Sequence, residues 1–181
     1  FRQTYQLANA SYNYRQLLLN EKLEDIGFDY FENEKIFNGK EYPKPTLSIF
    51  NKDIHFLDYI DNKLKAIIGI YTERIPIIVV YKTQEEQNFY TNIFSDYEIA
   101  YRKIDKNADI ILLELNDIKG EEFPIVLANM NSFSERELYL IMTRAQFELD
   151  FFIEYYDDFN PIVYKLIYND EKIKFLNLIN N

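Results

Sequence analysis

The chain has 181 residues, 48% apolar and 28% charged, with a formal net charge of −10, which suits one globular domain and excludes a disordered polymer. The absence of cysteine and the single histidine, His55, exclude a disulfide framework and any thiolate nucleophile or metal site, and leave little for zinc or a histidine triad. The acidic balance argues against strong nucleic-acid binding by the chain as a whole, because phosphate contacts supply most of such affinity.

In chain order, Leu7, Ala10, Ser11, Tyr14, Leu17 and Leu18 recur at helical spacing and predict a helix over 4–19. The first 20 residues hold Arg2 and Arg15 and no acid, whereas 21–41 carries seven acids against three lysines. Residues 20–45, with Gly39, Pro43 and Pro45, read as a long connection. Residues 46–50 (TLSIF) are a strand candidate, and Asp53 is placed to cap a helix with the face Leu57, Ile60, Leu64 and Ile67. The β-branched run 76–81 predicts a strand buried on both sides. Thr83 and Glu86 form a capping-box pair before a helix with Phe89, Tyr90, Ile93 and Phe94 inward. Short strands are predicted at 98–104, 109–115 and 124–128. A second capping box, Ser134 with Glu137, opens a helix carrying Leu138, Met142 and Ala145. A strand at 149–155 and a helix over 160–179, broken near Asn169, complete the pattern. Buried strands alternating with helices predict an α/β fold, a three-layer αβα sandwich around a mostly parallel sheet. No repeat or linker divides it, so 1–181 reads as one domain. Ligands in such sheets are expected at the carboxyl ends of the strands.

Neither GxxxxGK[ST] nor GxGxxG occurs, so the fold is expected to lack a phosphate loop of its own. Paired acids such as Asp157-Asp158 and Glu121-Glu122 are too common here to mark a site. His55, beside Asp58, reads as a surface residue. No run is long and apolar enough to span a membrane and no signal peptide is visible, which points to a cytoplasmic protein without a membrane partner. Three stretches combine unusual residue types with informative positions: FRQT (1–4), KGEEFPIV (119–126) and LYLIMTRA (138–145).

Taken in this order, the three stretches resemble motifs IV, V and VI of the UvrD/Rep/PcrA group of superfamily 1 DNA helicases, which read approximately NYRST, KGLEFPVV and LYVAxTRA followed by a strand. The resemblance spans residues 1 to about 155. Only about 115 residues separate the first two motifs, with no large inserted subdomain, which is closer to the compact C-terminal domains of HelD-like proteins. It implies a RecA-like fold, the C-terminal lobe of an ATP-dependent helicase, with ATP and Mg²⁺ bound mainly by an N-terminal lobe. The opening on FRQT, without a start methionine, gives the same expectation of a fragment of a longer protein.

Carried over by position, Arg2 and Arg144 would be the arginine fingers reaching the γ-phosphate. A guanidinium suits that role through its planar donor fork. Phe1 would stack on the adenine, Glu122 would bind the ribose, and Gly120 would let the backbone approach the nucleotide. Asn116 and Lys119 would face nucleic acid. No metal ligand is assigned to the chain itself. Each residue also has an ordinary reading: an i,i+4 salt bridge to Glu148 for Arg144, a solvated residue near a chain end for Arg2, an exposed acid for Glu122, and a turn with a strand-start proline for Gly120 and Pro124.

Departures from the family pattern fall mainly on the nucleic-acid side. A Thr-x-His pair that touches single-stranded DNA is represented by Glu114 and Asn116, and a carboxylate there repels phosphate. Glu121 replaces an apolar residue, and Glu137 a leucine. The expected partners are the N-terminal lobe, ATP and single-stranded DNA. The alternative is a non-catalytic module of a HelD-like protein that docks on a protein such as RNA polymerase. A Rossmann-like domain with an unrelated small ligand ranks third.

Overall fold

The continuous apolar runs build the inner strands of a seven-stranded sheet. The computed structural model describes residues 3–18, 36–37, 40–41, 43–50, 53–71, 74–105, 107–154, 161 and 177–180. The strands are β3 (Thr46–Phe50), β4 (Ile77–Tyr81), β5 (Ile99–Ala100), β6 (Ile110–Glu114), β7 (Phe123–Asn129), β8 (Ala145–Glu154) and β9 (Asn177–Asn180). Their order across the sheet is β5-β6-β4-β7-β8-β3-β9, and all of its ladders are parallel. A separate two-residue antiparallel ladder joins β1 (Ile36–Phe37) to β2 (Lys40–Glu41), inside the stretch expected to be a plain connection.

Side chains alternate along each strand and divide the core in two. On one face Ile78, Val80, Ile111, Leu113, Val126, Ala128 and Phe151 meet α1 (Tyr5–Leu18) and α4 (Glu135–Met142). On the other, Ile77, Val79, Leu112, Leu127 and Phe152 meet α2 (Asp53–Tyr71) and α3 (Gln84–Ile93). Helices on both sides of a parallel sheet give the predicted αβα sandwich. The β6–β7 connection crosses the first face without a helix; Leu115 and Ile118 bury themselves in that core instead.

Both capping boxes form as predicted, at Thr83–Glu86 and Ser134–Glu137. The second explains why position 137 carries an acid. Glu137 Oε2 accepts from Ser134 N (2.8 Å), Ser134 Oγ (2.9 Å) and Lys82 Nζ (2.8 Å). Partial burial disfavours its charge, but these donors outweigh burial and hold the carboxyl below its ordinary range.

Several expectations are corrected. Asp53 is the first residue of α2 rather than its cap. Phe89 is exposed, while Tyr90 and Phe94 are buried. The strand at 98–104 shortens to Ile99–Ala100. Ala145 opens β8 instead of continuing α4. Of the helix expected over 160–179, residues 162–176 lie outside the described residues, and 177–179 belong to β9.

A charged cluster interrupts the α2 face of the core. Lys63 of α2 pairs with Glu148 (2.7 Å) and Asp150 of β8, and its ammonium lies 5.8 Å from the Tyr59 ring centre. Thr46 of β3 donates its hydroxyl to Asp150. Burial opposes the Lys63 charge, but Asp150, Tyr59 and Glu148 outweigh it and raise the lysine pKa. The contribution to stability is therefore complete below the ordinary lysine range and is lost only in alkali. Removing one partner strands the others in the core. Lys63→Met should lower stability by ~3–5 kcal/mol, seen as a lower urea midpoint at neutral pH.

Candidate functional site

Three segments distant in sequence meet at the amino edge of the sheet, where β7 and β8 begin. Phe123 is paired with Ala145, and Phe123 N donates to Arg144 O at 2.8 Å. The register then slips, because Ile125 is opposite Glu148. The two residues from Phe123 to Ile125 thus face three on β8, a bulge that accommodates Pro124, which has no N–H for a ladder. Gln146, within the bulged stretch, donates its amide to Glu122 Oε2 at 3.2 Å.

The third segment is the start of α1. Thr4 N donates to Gln146 O (3.0 Å), and Thr4 Oγ1 accepts from Leu7 N (3.4 Å), as a helix cap does. Gln3, only 3% exposed, donates to Met142 O (2.7 Å) and Ala145 O (2.9 Å). The segments carrying the three sequence motifs are therefore one hydrogen-bonded unit.

Arg144 lies half-buried at the centre of that unit. Its Nε and Nη2 donate to Thr143 Oγ1 (3.3 and 3.2 Å), and its Nη1 to Glu121 O (3.3 Å). Thr143 in turn donates to Leu140 O at 2.7 Å. Arg144 makes no ion pair among the described residues. The salt bridge to Glu148 does not form, because β8 has already begun and Glu148 turns to the opposite face, where Lys63 holds it.

Gly120 has φ of 80°, and a Cβ there would meet no atom within 4 Å. The position calls for glycine because the backbone is left-handed, and its outer side is open. Phe1 and Arg2 lie outside the described residues; Gln3 is the first described position of their motif. Asn116 and Lys119 are brought together with each other, since Lys119 Nζ donates to Asn116 Oδ1 (2.8 Å) and Asn116 Nδ2 to Glu114 Oε1 (3.2 Å). That chain begins at the carboxyl end of β6, where Glu114 is paired with Tyr81. Burial, followed by the nearby Glu114 and Asp117, raises the Tyr81 pKa. Nearby cations are already engaged: Lys103 with Glu121 (3.5 Å) and Lys82 with Glu137 (2.8 Å).

Two placements depart from expectation. The cluster around Arg144 gathers at the amino ends of β7 and β8, whereas ligands were expected at carboxyl ends. His55 is half-buried rather than on the surface, its Nδ1 lacks a hydrogen-bond partner among the described residues, and it lines a groove of about 370 Å³ with Asp58, Tyr59 and Asn62. Sequence reasoning missed Gln3 and Gln146, because no pattern marks an amide that bonds to backbone or to one acid. Among the described residues there is no cluster of three metal-ligating side chains, and no helix is long and apolar enough to cross a membrane.

No family model matches the sequence, and a search of curated proteins returns no relative. A solved structure is similar over the whole chain: the C-terminal domain of a possible DNA helicase from Lactobacillus plantarum WCFS1. The TM-score is 0.63 at 14% identity, covering 100% of this chain and 98% of that one. The fold is thus the RecA-like α/β arrangement expected from the sequence.

The open space around Gly120 makes its account easy to test. Gly120→Ala should cost ~1–2 kcal/mol through backbone conformation alone, and Gly120→Asn clearly less, because asparagine tolerates left-handed backbone. Equal losses in chemical denaturation would refute the conformational explanation.

Proposed function

We propose that residues 1–181 are a single C-terminal RecA-like lobe of a UvrD-like ATP-dependent DNA helicase or translocase, completing an ATP site built mainly on an N-terminal lobe. The observation that carries this reading is the joining of Gln3–Thr4, Glu121–Phe123 and Met142–Gln146 around an arginine with no carboxylate partner among the described residues. An anion-stabilising arginine needs that freedom. Its present acceptors, a hydroxyl and a carbonyl, are neutral, so exchanging them for phosphate oxygens breaks no ion pair.

In this reading the N-terminal lobe supplies the phosphate loop and Mg²⁺, and Arg144 places its fork on the γ-phosphate as negative charge builds in the transition state. Arg2 is the second finger and Phe1 the adenine platform. Glu122, oriented by Gln146, accepts from a ribose hydroxyl, and the open backbone at Gly120 lets the nucleotide approach. Asn116 and Lys119 lie on the proposed nucleic-acid side.

A second reading draws on the carboxyl edge of β4 and β6, where Glu114, Asn116 and Asp117 stand exposed and Lys82 is engaged by Glu137. An acidic surface of this kind suits a basic protein partner, as in a HelD-like module docking on RNA polymerase, better than a phosphate backbone.

Arg144→Ala in the full-length protein should lower kcat for ATP hydrolysis ~10³-fold or more, while the 181-residue chain alone should hydrolyse none. Full activity of the variant would end the finger assignment. Stimulation of the ATPase by single-stranded DNA would favour the translocase; stimulation only by a protein partner would favour the docking module.

A further inference from the structure

Resting on the proposed role of Arg144, we infer that Gln3 is the positioning residue for that arginine, holding it through the backbone on both sides. Gln3 and Arg144 are 141 positions apart in the chain. The Gln3 amide nevertheless donates to the carbonyls of Met142 (2.7 Å) and Ala145 (2.9 Å), which bracket Thr143–Arg144.

The chemistry of the clamp is restrictive. Met142 ends α4 and Ala145 begins β8, so the segment between them has neither a complete helix nor a complete ladder to fix it. A primary amide offers two N–H groups from one nitrogen, and both find carbonyls here. Leucine at position 3 would offer no donor, asparagine would be shorter by a methylene, and an ionised glutamate would present oxygen to oxygen. At 3% exposure, water cannot take over the role. The adjacent bond from Thr4 N to Gln146 O (3.0 Å) fixes the start of α1 to the same stretch. Arg144 N donates to Ile141 O (3.0 Å), and Arg144 O accepts from Phe123 N (2.8 Å). With Gln3 in place, the backbone that aims the guanidinium is held from α1, α4 and β7 together.

Gln3 touches neither nucleotide nor substrate in this scheme; it acts through Arg144. An ordinary cap for the end of α4 would explain the same bonds, but it predicts a loss of stability independent of the arginine. A kinetic cycle in the full-length protein separates the two, using Gln3→Leu, Arg144→Lys and the double variant, each confirmed as folded at the assay temperature by its thermal midpoint. Gln3→Leu should lower kcat for ATP hydrolysis ~10- to 100-fold, the scale of a misplaced catalytic group. KM should stay within ~2-fold, because the arginine acts in the transition state. The double variant should be no slower than Arg144→Lys alone. Wild-type kcat in folded Gln3→Leu, or losses that multiply in the double variant, would overturn the inference.

Gln3→Glu covers the case in which the leucine variant fails to fold. A carboxyl facing two carbonyls has a raised pKa and can donate only when protonated. Its kcat relative to wild type should therefore climb as pH falls from ~8 to ~6, and a ratio independent of pH counts against the clamp. If Arg144→Lys itself keeps full kcat, the finger reading fails. If Arg144→Lys is slow and folded Gln3 variants are not, only the positioning role fails.

Discussion

The pairing of β7 with β8 is the constraint on which the site depends. Parallel neighbours force their amino ends to the same edge of the sheet, so Phe123 and Ala145 begin side by side. Everything carried just before those residues is gathered with them: the Glu121–Glu122 turn on one side, Thr143–Arg144 on the other. The extra residue in β8 bends this corner and places Gln146 within reach of Glu122. α1 is held to the corner by Gln3 and Thr4. It also packs along α4, where Tyr14 stacks on Tyr139 and donates to Glu135 O.

Charge is distributed differently on the two sides of this corner. Within the α2 face of the core, two carboxylates share one ammonium under α2, and all three are held inside the protein. At the amino edge, Arg144 is satisfied by neutral acceptors. At the carboxyl edge, Asn116 bridges Glu114 to Lys119, and the cation is spent on a local turn. The same motif stretch thus has one end suited to an anion and another where an acid leads. That contrast follows the departures from the pattern the sequence resembles, which include Glu114 and Asn116, while Gly120, Glu122 and Arg144 keep that pattern's residue types.

What could be read from the sequence was what burial and capping write into it. β4 and β6 are buried on both faces, so unbroken Ile, Val and Leu runs announce them. The capping boxes depend on two residues at fixed spacing and appeared where predicted. The boundary at Ala145 was hidden, because alanine and glutamine are good helix formers and only pairing with Phe123 makes them a strand. The alternative pairing of Arg144 with Glu148 is excluded for the same reason: an i,i+4 pair presupposes a helix that has already ended. β9 depends on pairing with the distant β3, for which local periodicity carries no signal.

The open conformation at Gly120 and the neutral setting of Arg144 have a common consequence. A lobe that met its ligand alone would need groups to surround a polyphosphate, and this chain has no glycine-rich loop for that. Instead, among the described residues, it carries a hydrogen-bonded edge with one arginine, one oriented carboxylate and an unobstructed turn. Such an edge, under the proposed reading, completes a site only when a second surface brings the phosphates to it, which makes the relative position of two bodies the controlling variable. Under the proposed reading, rigidity at this corner is what converts their approach into catalysis. A guanidinium on a loose junction would follow the nucleotide in the ground state as readily as in the transition state and would accelerate nothing.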